Sequence, residues 1–375
     1  MTSRQPNPSS ASRADFPLLR GCAKVLEIGP YPPPYNGWSA RIWVLKAGLE
    51  KAGHTCVALN LGEHRRIPSA DYECVRSGWE YLCKLVRYAR RGYVFHVHTN
   101  GDSRKGFLIN LIAYVVTLLA GRRPILTLHA GTDQVYFPRK KSRLMVPWFK
   151  LLFGVAKAVI CDNADVARRI IQYGIPAAKV FPICPFTKQY LDVPPQALGE
   201  KLEGFLQSHR PVVLTYLECR PEYDAKSLFH VIGELARQRP ELGVAVTGAT
   251  DGHETISATA RAAGVGERCL HVGAIDHGQF LALLPRVSLF LRCNQREGTS
   301  ASIREALHFG VPVVGNNSES QPEGVVVYPW GNADAMLQAA ETVLASASLA
   351  PRPGTQQAAA ELPDTVMEEL QVLVR

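Results

Sequence analysis

The chain has no Cys-x-x-C pair, no Asp-x-Asp and no apolar run of membrane-spanning length, and each absence removes a class of protein. Its nine cysteines (Cys22, Cys56, Cys74, Cys83, Cys161, Cys184, Cys219, Cys269 and Cys293) are odd in number and unpatterned in spacing. Such a set argues for reduced thiols in the cytoplasm and against a disulfide framework or a zinc site. No histidine–carboxylate cluster has metal spacing either. The most apolar stretch, residues 106–120 between Arg104-Lys105 and Arg122-Arg123, falls short of the ~20 residues of a spanning helix and reads as a buried helix of an α/β domain. Residues 1–20, rich in Ser, Pro, Asn and Arg, contain no apolar core, so they read as a disordered tail and not as a secretory signal. No stripe of Lys/Arg alternates with aromatics and no recognition-helix motif occurs, which weighs against nucleic acid as a partner.

What is present describes a soluble globular chain of 375 residues, 46% hydrophobic and 20% charged, long enough for two cores. Apolar runs alternate with helical patterns. Lys24–Ile28, Val57–Leu61, Tyr93–His98, Ile125–Leu128 and Ala158–Cys161 read as strands, and the pattern restarts after a proline-rich stretch near 182–195. Pro211–Tyr216, Gly243–Thr247, Leu270–Val272, Leu289–Leu291 and Val311–Val314 follow as strands of a second unit. Two doubly wound α/β domains are expected, over 21–190 and 191–355, facing a ligand crevice at their strand ends. A last helix within 356–375 could cross back to the first domain. The net charge of +9 divides unevenly: residues 1–190 carry 28 Lys/Arg against 11 Asp/Glu, a balance of +17, and residues 191–375 carry 14 against 22, a balance of −8. A first half so basic suits an anionic partner such as a membrane surface or a phospholipid-linked substrate.

The most informative segment is Glu297-Gly-Thr-Ser-Ala-Ser-Ile-Arg-Glu305-Ala-Leu-His-Phe-Gly310-Val-Pro-Val-Val314. Glu297 falls in the loop after a strand, and Glu305 two turns into the helix that follows, placed to accept hydrogen bonds from two sets of sugar hydroxyls. Gly298, Thr299, Ser300 and Ala301 leave small residues at a helix N-terminus, where backbone N–H groups favour an anion. From these residues alone, a solvated helix with two surface glutamates fits equally well.

E-x7-E followed by A-L-x-x-G-V-P-V-V resembles the donor signature of the family 4 retaining glycosyltransferases, also called glycosyl transferase group 1, whose GT-B fold pairs two Rossmann-like domains. Asn36-Gly37, Leu128-His129-Ala-Gly131, Gly273 and Asn332-Ala-Asp334 extend the resemblance over most of the chain. It implies that Glu297 binds the hydroxyls of the transferred sugar, Glu305 the ribose, and that His129 lies near the anomeric centre. Asn36, Gly37 and Trp38 would form the acceptor or phosphate loop. Arg220 and Lys226 would flank the diphosphate, although Cys219 stands where the family has glycine and the Arg–Lys spacing is one residue longer. Such a cationic pair would stabilise charge on the leaving diphosphate. The resemblance further implies a metal-independent, front-face reaction with a nucleotide-sugar donor, a glycan or polyprenyl-linked acceptor, and a place in cell-surface polysaccharide or glycolipid synthesis.

Arg139, Lys140, Lys141 and Arg143 precede an apolar segment with Trp148 and Phe149, the pattern of an interfacial helix on the inner face of a membrane. The competing readings are a nucleotide-sugar epimerase or a glycoside phosphorylase of the same architecture, or a basic binding protein.

Overall fold

Strands buried on both faces of a parallel sheet read as unbroken apolar runs, and the helices between them need one apolar face each. The computed structural model, which describes residues 22–32, 37–194, 196–248, 252–295, 300–317, 321–347 and 364–374, folds along these lines. The expected tail at 1–20 lies outside the described residues. In the first domain β1 (Lys24–Gly29), α1 (Gly37–Lys51), β2 (Thr55–Asn60), α2 (Gly78–Arg90), β3 (Val94–Thr99) and α3 (Arg104–Leu119) alternate. β4 (Ile125–Leu128), α4 (Val146–Val155), β5 (Ala158–Cys161), α5 (Ala164–Ile171) and β6 (Val180–Pro182) complete it. All pairs are parallel, in the order β2-β1-β3-β4-β5-β6.

The second domain repeats the scheme. It runs α6 (Glu200–Ser208), β7 (Val212–Leu217), α7 (Ala225–Gln238), β8 (Gly243–Gly248), α8 (His253–Ala262), β9 (Cys269–Gly273) and α9 (His277–Leu283). β10 (Leu289–Leu291), α10 (Ala301–His308), β11 (Val313–Asn316), β12 (Val325–Tyr328) and α11 (Ala333–Ala347) follow, in the parallel order β12-β11-β10-β7-β8-β9. Local chemistry sets the helix ends: Ser103, Asn163 and Asp276 accept from backbone N–H groups at the starts of α3, α5 and α9, and Gly310 (φ 69°) ends α10. The fold is therefore two Rossmann-like domains of six parallel strands each.

The helix α12 (Thr365–Leu373) packs on the first domain, not the second. Val366, Leu370 and Leu373 join Val44, Leu45 and Leu49 of α1 in one buried cluster. Gly48 allows the approach, since a Cβ there would stand 2.7 Å from Val366 Cγ1. Between the two helices Arg41 is buried with all five guanidinium N–H groups engaged. They reach Glu369 Oε2 (2.7 and 2.5 Å), Thr365 Oγ1 (3.0 Å), Thr365 O (3.0 Å) and Pro185 O (3.2 Å).

Candidate active site

In open parallel sheets a crevice forms beyond the C-terminal strand ends, where the strand order reverses. The first sheet reverses between β1 and β3, the second between β7 and β10. Residues at these two points are the ones the topology offers to a ligand.

At the first switch point the strands carry polar side chains on one face. Glu27 lies opposite His96 in the β1–β3 register, His98 follows on the same face, and β4 adds Thr127 and then His129. His129 is partly buried, with Nε2 2.8 Å from His98 Nδ1 and the two rings stacked at 5.1 Å and 14°. His98 Nε2 lies 2.6 Å from Glu27 Oε2, and His96 Nδ1 lies 2.8 Å from the same oxygen. His96 Nε2 meets Thr127 Oγ1 at 2.7 Å. The indole of Trp38, one residue into α1, packs against His129 at 5.5 Å. Burial and the neighbouring histidines hold His129 well below the usual imidazole range, and burial followed by the His96 charge does the same to His98. His96 goes the other way. Burial would lower it, but the Glu27 carboxylate beside it, joined by Glu369, outweighs that and raises it.

Glu27, His96 and His98 bring their ligand atoms close enough to surround an ion, which corrects the expectation that no histidine–carboxylate cluster of metal spacing exists. Sequence spacing misses it because the three come from two strands. Their nitrogen and oxygen atoms are already engaged with one another, so the arrangement is complete as a hydrogen-bonded cluster.

At the second switch point, Glu305 on α10 is only 3% exposed and faces His277, the first residue of α9, whose Nε2 is 2.8 Å from Glu305 Oε1. His277 in turn meets the buried Tyr190 of the first half, ring to ring at 6.4 Å. Ser300 caps α10 by accepting from Ile303 N, and Ala301 packs on the apolar cluster beneath α1 and α12. Arg220 is 65% exposed, paired with Glu218 at 3.0 Å, and Lys226 is exposed in the first turn of α7. Arg292, at the end of β10, is a buried cation over the Tyr216 ring at 5.1 Å. Gly37 opens α1 with nothing within 4 Å of the position a Cβ would take. Glu297, Gly298, Thr299 and Asn36 lie outside the described residues.

Glu27, His96, His98, His277 and Arg292 escape a reading of the sequence alone. Two signals were available: a glutamate inside an apolar strand, and His-x-His in a buried one. In a strand covered on both faces such residues must find partners.

Two expectations need correction, one on the membrane surface and one on the apolar helix. Phe149 is fully buried among Phe107, Phe137, Phe153 and Tyr173, because on α4 it shares the inward face with Met145 and Leu152. Residues 106–120 are not wholly buried: α3 turns Phe107, Asn110, Ala113 and Tyr114 inward but exposes Leu108, Val115, Leu118 and Leu119. Trp148 on α4 stays 40% exposed, as do Leu151 on the same helix (42%) and Leu144 in the turn before it (75%). Arg139, Lys140, Lys141 and Arg143 are all exposed, Lys141 pairs with Asp133, and Arg139, Lys140 and Arg143 line a depression with Arg169. No helix among the described residues is long and apolar enough to cross a membrane.

Residues 201–351 match the family model of glycosyl transferases group 1. No curated protein matches the chain. Among solved structures the chain is similar to sucrose-phosphate synthase of Thermosynechococcus elongatus, at 15% identity and TM-score 0.69 over 94% of this chain and 95% of that one. It is also similar to Anabaena HepE in complex with UDP, at 16% identity and TM-score 0.62 over 93% and 98%. A third similar structure is a UDP-N-acetylglucosamine 2-epimerase of Listeria monocytogenes, at 16% and 0.62 over 93% and 95%. These likenesses establish the GT-B fold, and with the group 1 match over the second domain they support a glycosyltransferase.

Proposed function

We propose that the protein is a retaining, metal-independent transferase of family 4 that moves a hexose-type sugar from a nucleotide diphosphate to a glycan or lipid-linked acceptor. The observation that carries this reading is the buried Glu305, held at the switch point of the domain that matches group 1. In it, Glu305 receives the ribose hydroxyls and Glu297 those of the transferred sugar. Arg220 and Lys226 swing onto the diphosphate, with Arg220 leaving Glu218, a surface pair that costs about 0–1 kcal/mol to break. His129 and Trp38 approach the same sugar from the first domain.

HepE is described with UDP, with UDP and glucose, and with UDP-glucose, which makes uridine nucleotides the first donors to test. The exposed apolar residues of α4, which follows the basic cluster in the chain, and those of α3 favour attachment to the inner face of an anionic membrane, in a pathway of cell-surface polysaccharide or glycolipid synthesis.

A thermal-shift screen with UDP-, GDP- and ADP-sugars tests the donor, since a bound donor stabilises by RT ln(1 + [L]/Kd). Glu305→Ala is expected to weaken nucleotide binding by about 1.5–3 kcal/mol. Product from an α-linked donor should be α-linked, and EDTA should leave the rate unchanged. A β-linked product or a rate restored by Mg²⁺ removes the retaining or the metal-independent part. Inversion at C2 of the donor sugar without any acceptor would make the chain an epimerase.

A further inference from the structure

The geometry points to Glu27 and His98 as positioning residues that fix His129 as a neutral ring protonated on Nε2, so that it meets the sugar through Nδ1 as a hydrogen-bond acceptor. The inference rests on the reading of His129 as a sugar contact for its purpose, but not for its proton positions.

The derivation starts at Glu27, whose two oxygens each lie within hydrogen-bond distance of an imidazole nitrogen and accept from it. Oε2 lies 2.6 Å from His98 Nε2, so that nitrogen donates. A neutral imidazole has a single N–H, and His98 Nδ1 is therefore bare. His129 Nε2 lies 2.8 Å from it. Two bare nitrogens at that distance would set lone pair against lone pair, so His129 carries its proton on Nε2 and donates it to His98. Its remaining ring nitrogen, Nδ1, has a free lone pair and no hydrogen.

The order would reverse if His98 were an imidazolium, because it would then donate from Nδ1. The surroundings decide against this. The charged groups that face the histidines are Glu27 on β1, Arg41 on α1, His96 on β3 and Glu369 on α12, with the buried Tyr190 hydroxyl beyond Arg41. Two carboxylates and one guanidinium leave room for a single imidazolium. His96 takes that place, since it alone stands between both carboxylates. Its Nδ1 is 2.8 Å from Glu27, and its Nε2 is 3.7 Å from Glu369 and 2.7 Å from Thr127 Oγ1, which donates onward to Glu369 at 3.3 Å. The His96 and His98 rings are 4.2 Å apart, so a second positive charge would be strongly opposed. The directions of their proton affinities agree: His96 is raised, and His98 and His129 are lowered.

An acceptor at Nδ1 recognises a sugar hydroxyl that donates. It cannot serve as a proton donor to a leaving oxygen, which separates this arrangement from a general acid.

The test is two-bond ¹H–¹⁵N correlation on the full-length protein with ¹⁵N-histidine, where tautomers give distinct patterns. His129 is assigned by the signal lost in His129→Gln. Wild type should show His129 as the Nε2–H form from pH 6 to 8, and His96 as an imidazolium at pH 6. A Nδ1–H or doubly protonated His129 overturns the inference whatever the enzyme's activity. In Glu27→Gln the His129 pattern should become mixed, and kcat for transfer should fall on the order of tenfold with the donor KM little changed. Combining Glu27→Gln with His129→Gln should cost no more than His129→Gln alone, because the first acts through the second. An additive loss refutes the positioning role. Full activity of His129→Gln with the expected tautomer present would instead remove the sugar contact and leave the proton positions standing.

Discussion

Replacing Glu369 with alanine should free the last helix from the first domain. Arg41 is 1% exposed, and Glu369 supplies the acceptor for two of its five N–H groups together with its counter-charge. The substitution leaves a guanidinium buried with Thr365 and Pro185 oxygens but no anion within contact. Breaking a buried pair in this way typically costs about 3–5 kcal/mol, roughly a hundredfold to a few thousandfold in the docking equilibrium of α12. Amide hydrogen exchange over 365–373 and over α1 reads this directly, because exchange reports the local opening of a docked helix as well as global unfolding. Exchange over α12 should quicken by those factors in Glu369→Ala, and the second domain's strands should keep their wild-type rates. The double variant Arg41→Met/Glu369→Leu should recover most of the protection, since an apolar pair of similar volume often replaces a buried ion pair at little cost. Wild-type exchange over α12 in Glu369→Ala would refute the reasoning.

The lowered proton affinities of His98 and His129 predict acid sensitivity with a definite sign. The unfolded histidines take up protons below ~6.5 and the folded ones do not, so this stability is present above that pH and lost as pH falls. His96 has the opposite sign: its contribution is full below the ordinary value and fades as pH rises through its raised one. Urea unfolding of wild type and His129→Gln should therefore differ by up to about 2 kcal/mol less at pH 5.0 than at pH 6.5, and a pH-independent difference refutes it. For membrane attachment, co-sedimentation with anionic vesicles should fall with salt as screening shortens to ~8 Å. Trp148→Ala should remove the salt-resistant remainder, while Phe149→Ala should act by destabilising the core by about 3–5 kcal/mol. Equal binding to neutral vesicles would exclude the basic cluster.

The sheets were legible because their central strands are short apolar runs closed by turn residues: Ile125–Leu128, Ala158–Cys161 and Leu289–Leu291 have the same bounds in sequence and structure. The edge strands β6 and β12 were not, since one has three residues and ends on proline and the other leaves Val326 and Val327 exposed. Across α4 and the turn that leads into it the periodicity is hidden because almost every residue is apolar. Leu144, Trp148 and Leu151 then face out and Met145, Phe149 and Leu152 face in, a choice made by the aromatic cluster beneath the helix. His277 was out of reach for another reason: it stands 28 residues before Glu305 and meets it only when α9 folds against α10.

Stability alone gives no reason for a polar chain from Arg41 through Glu369, Thr127, His96, Glu27 and His98 to His129. Buried charges seldom outperform well-packed apolar side chains of the same volume, and each link here must be made in full or cost more than it gains. What the chain supplies that an apolar core cannot is a fixed order of protons. On the proton positions inferred above, each contact between neighbouring side chains from Thr127 onward has one donor and one acceptor, and the sequence ends at the His129 imidazole. The order depends on Glu369, which enters from the last helix and holds Arg41 on one side and the Thr127 hydroxyl on the other. Without that carboxylate the balance of charges no longer calls for an imidazolium at His96, and the reason for a neutral His98 weakens with it. The return of α12 to the first domain is thus tied to the state of a ring at the far end of the chain of contacts, through six side chains and no moving part.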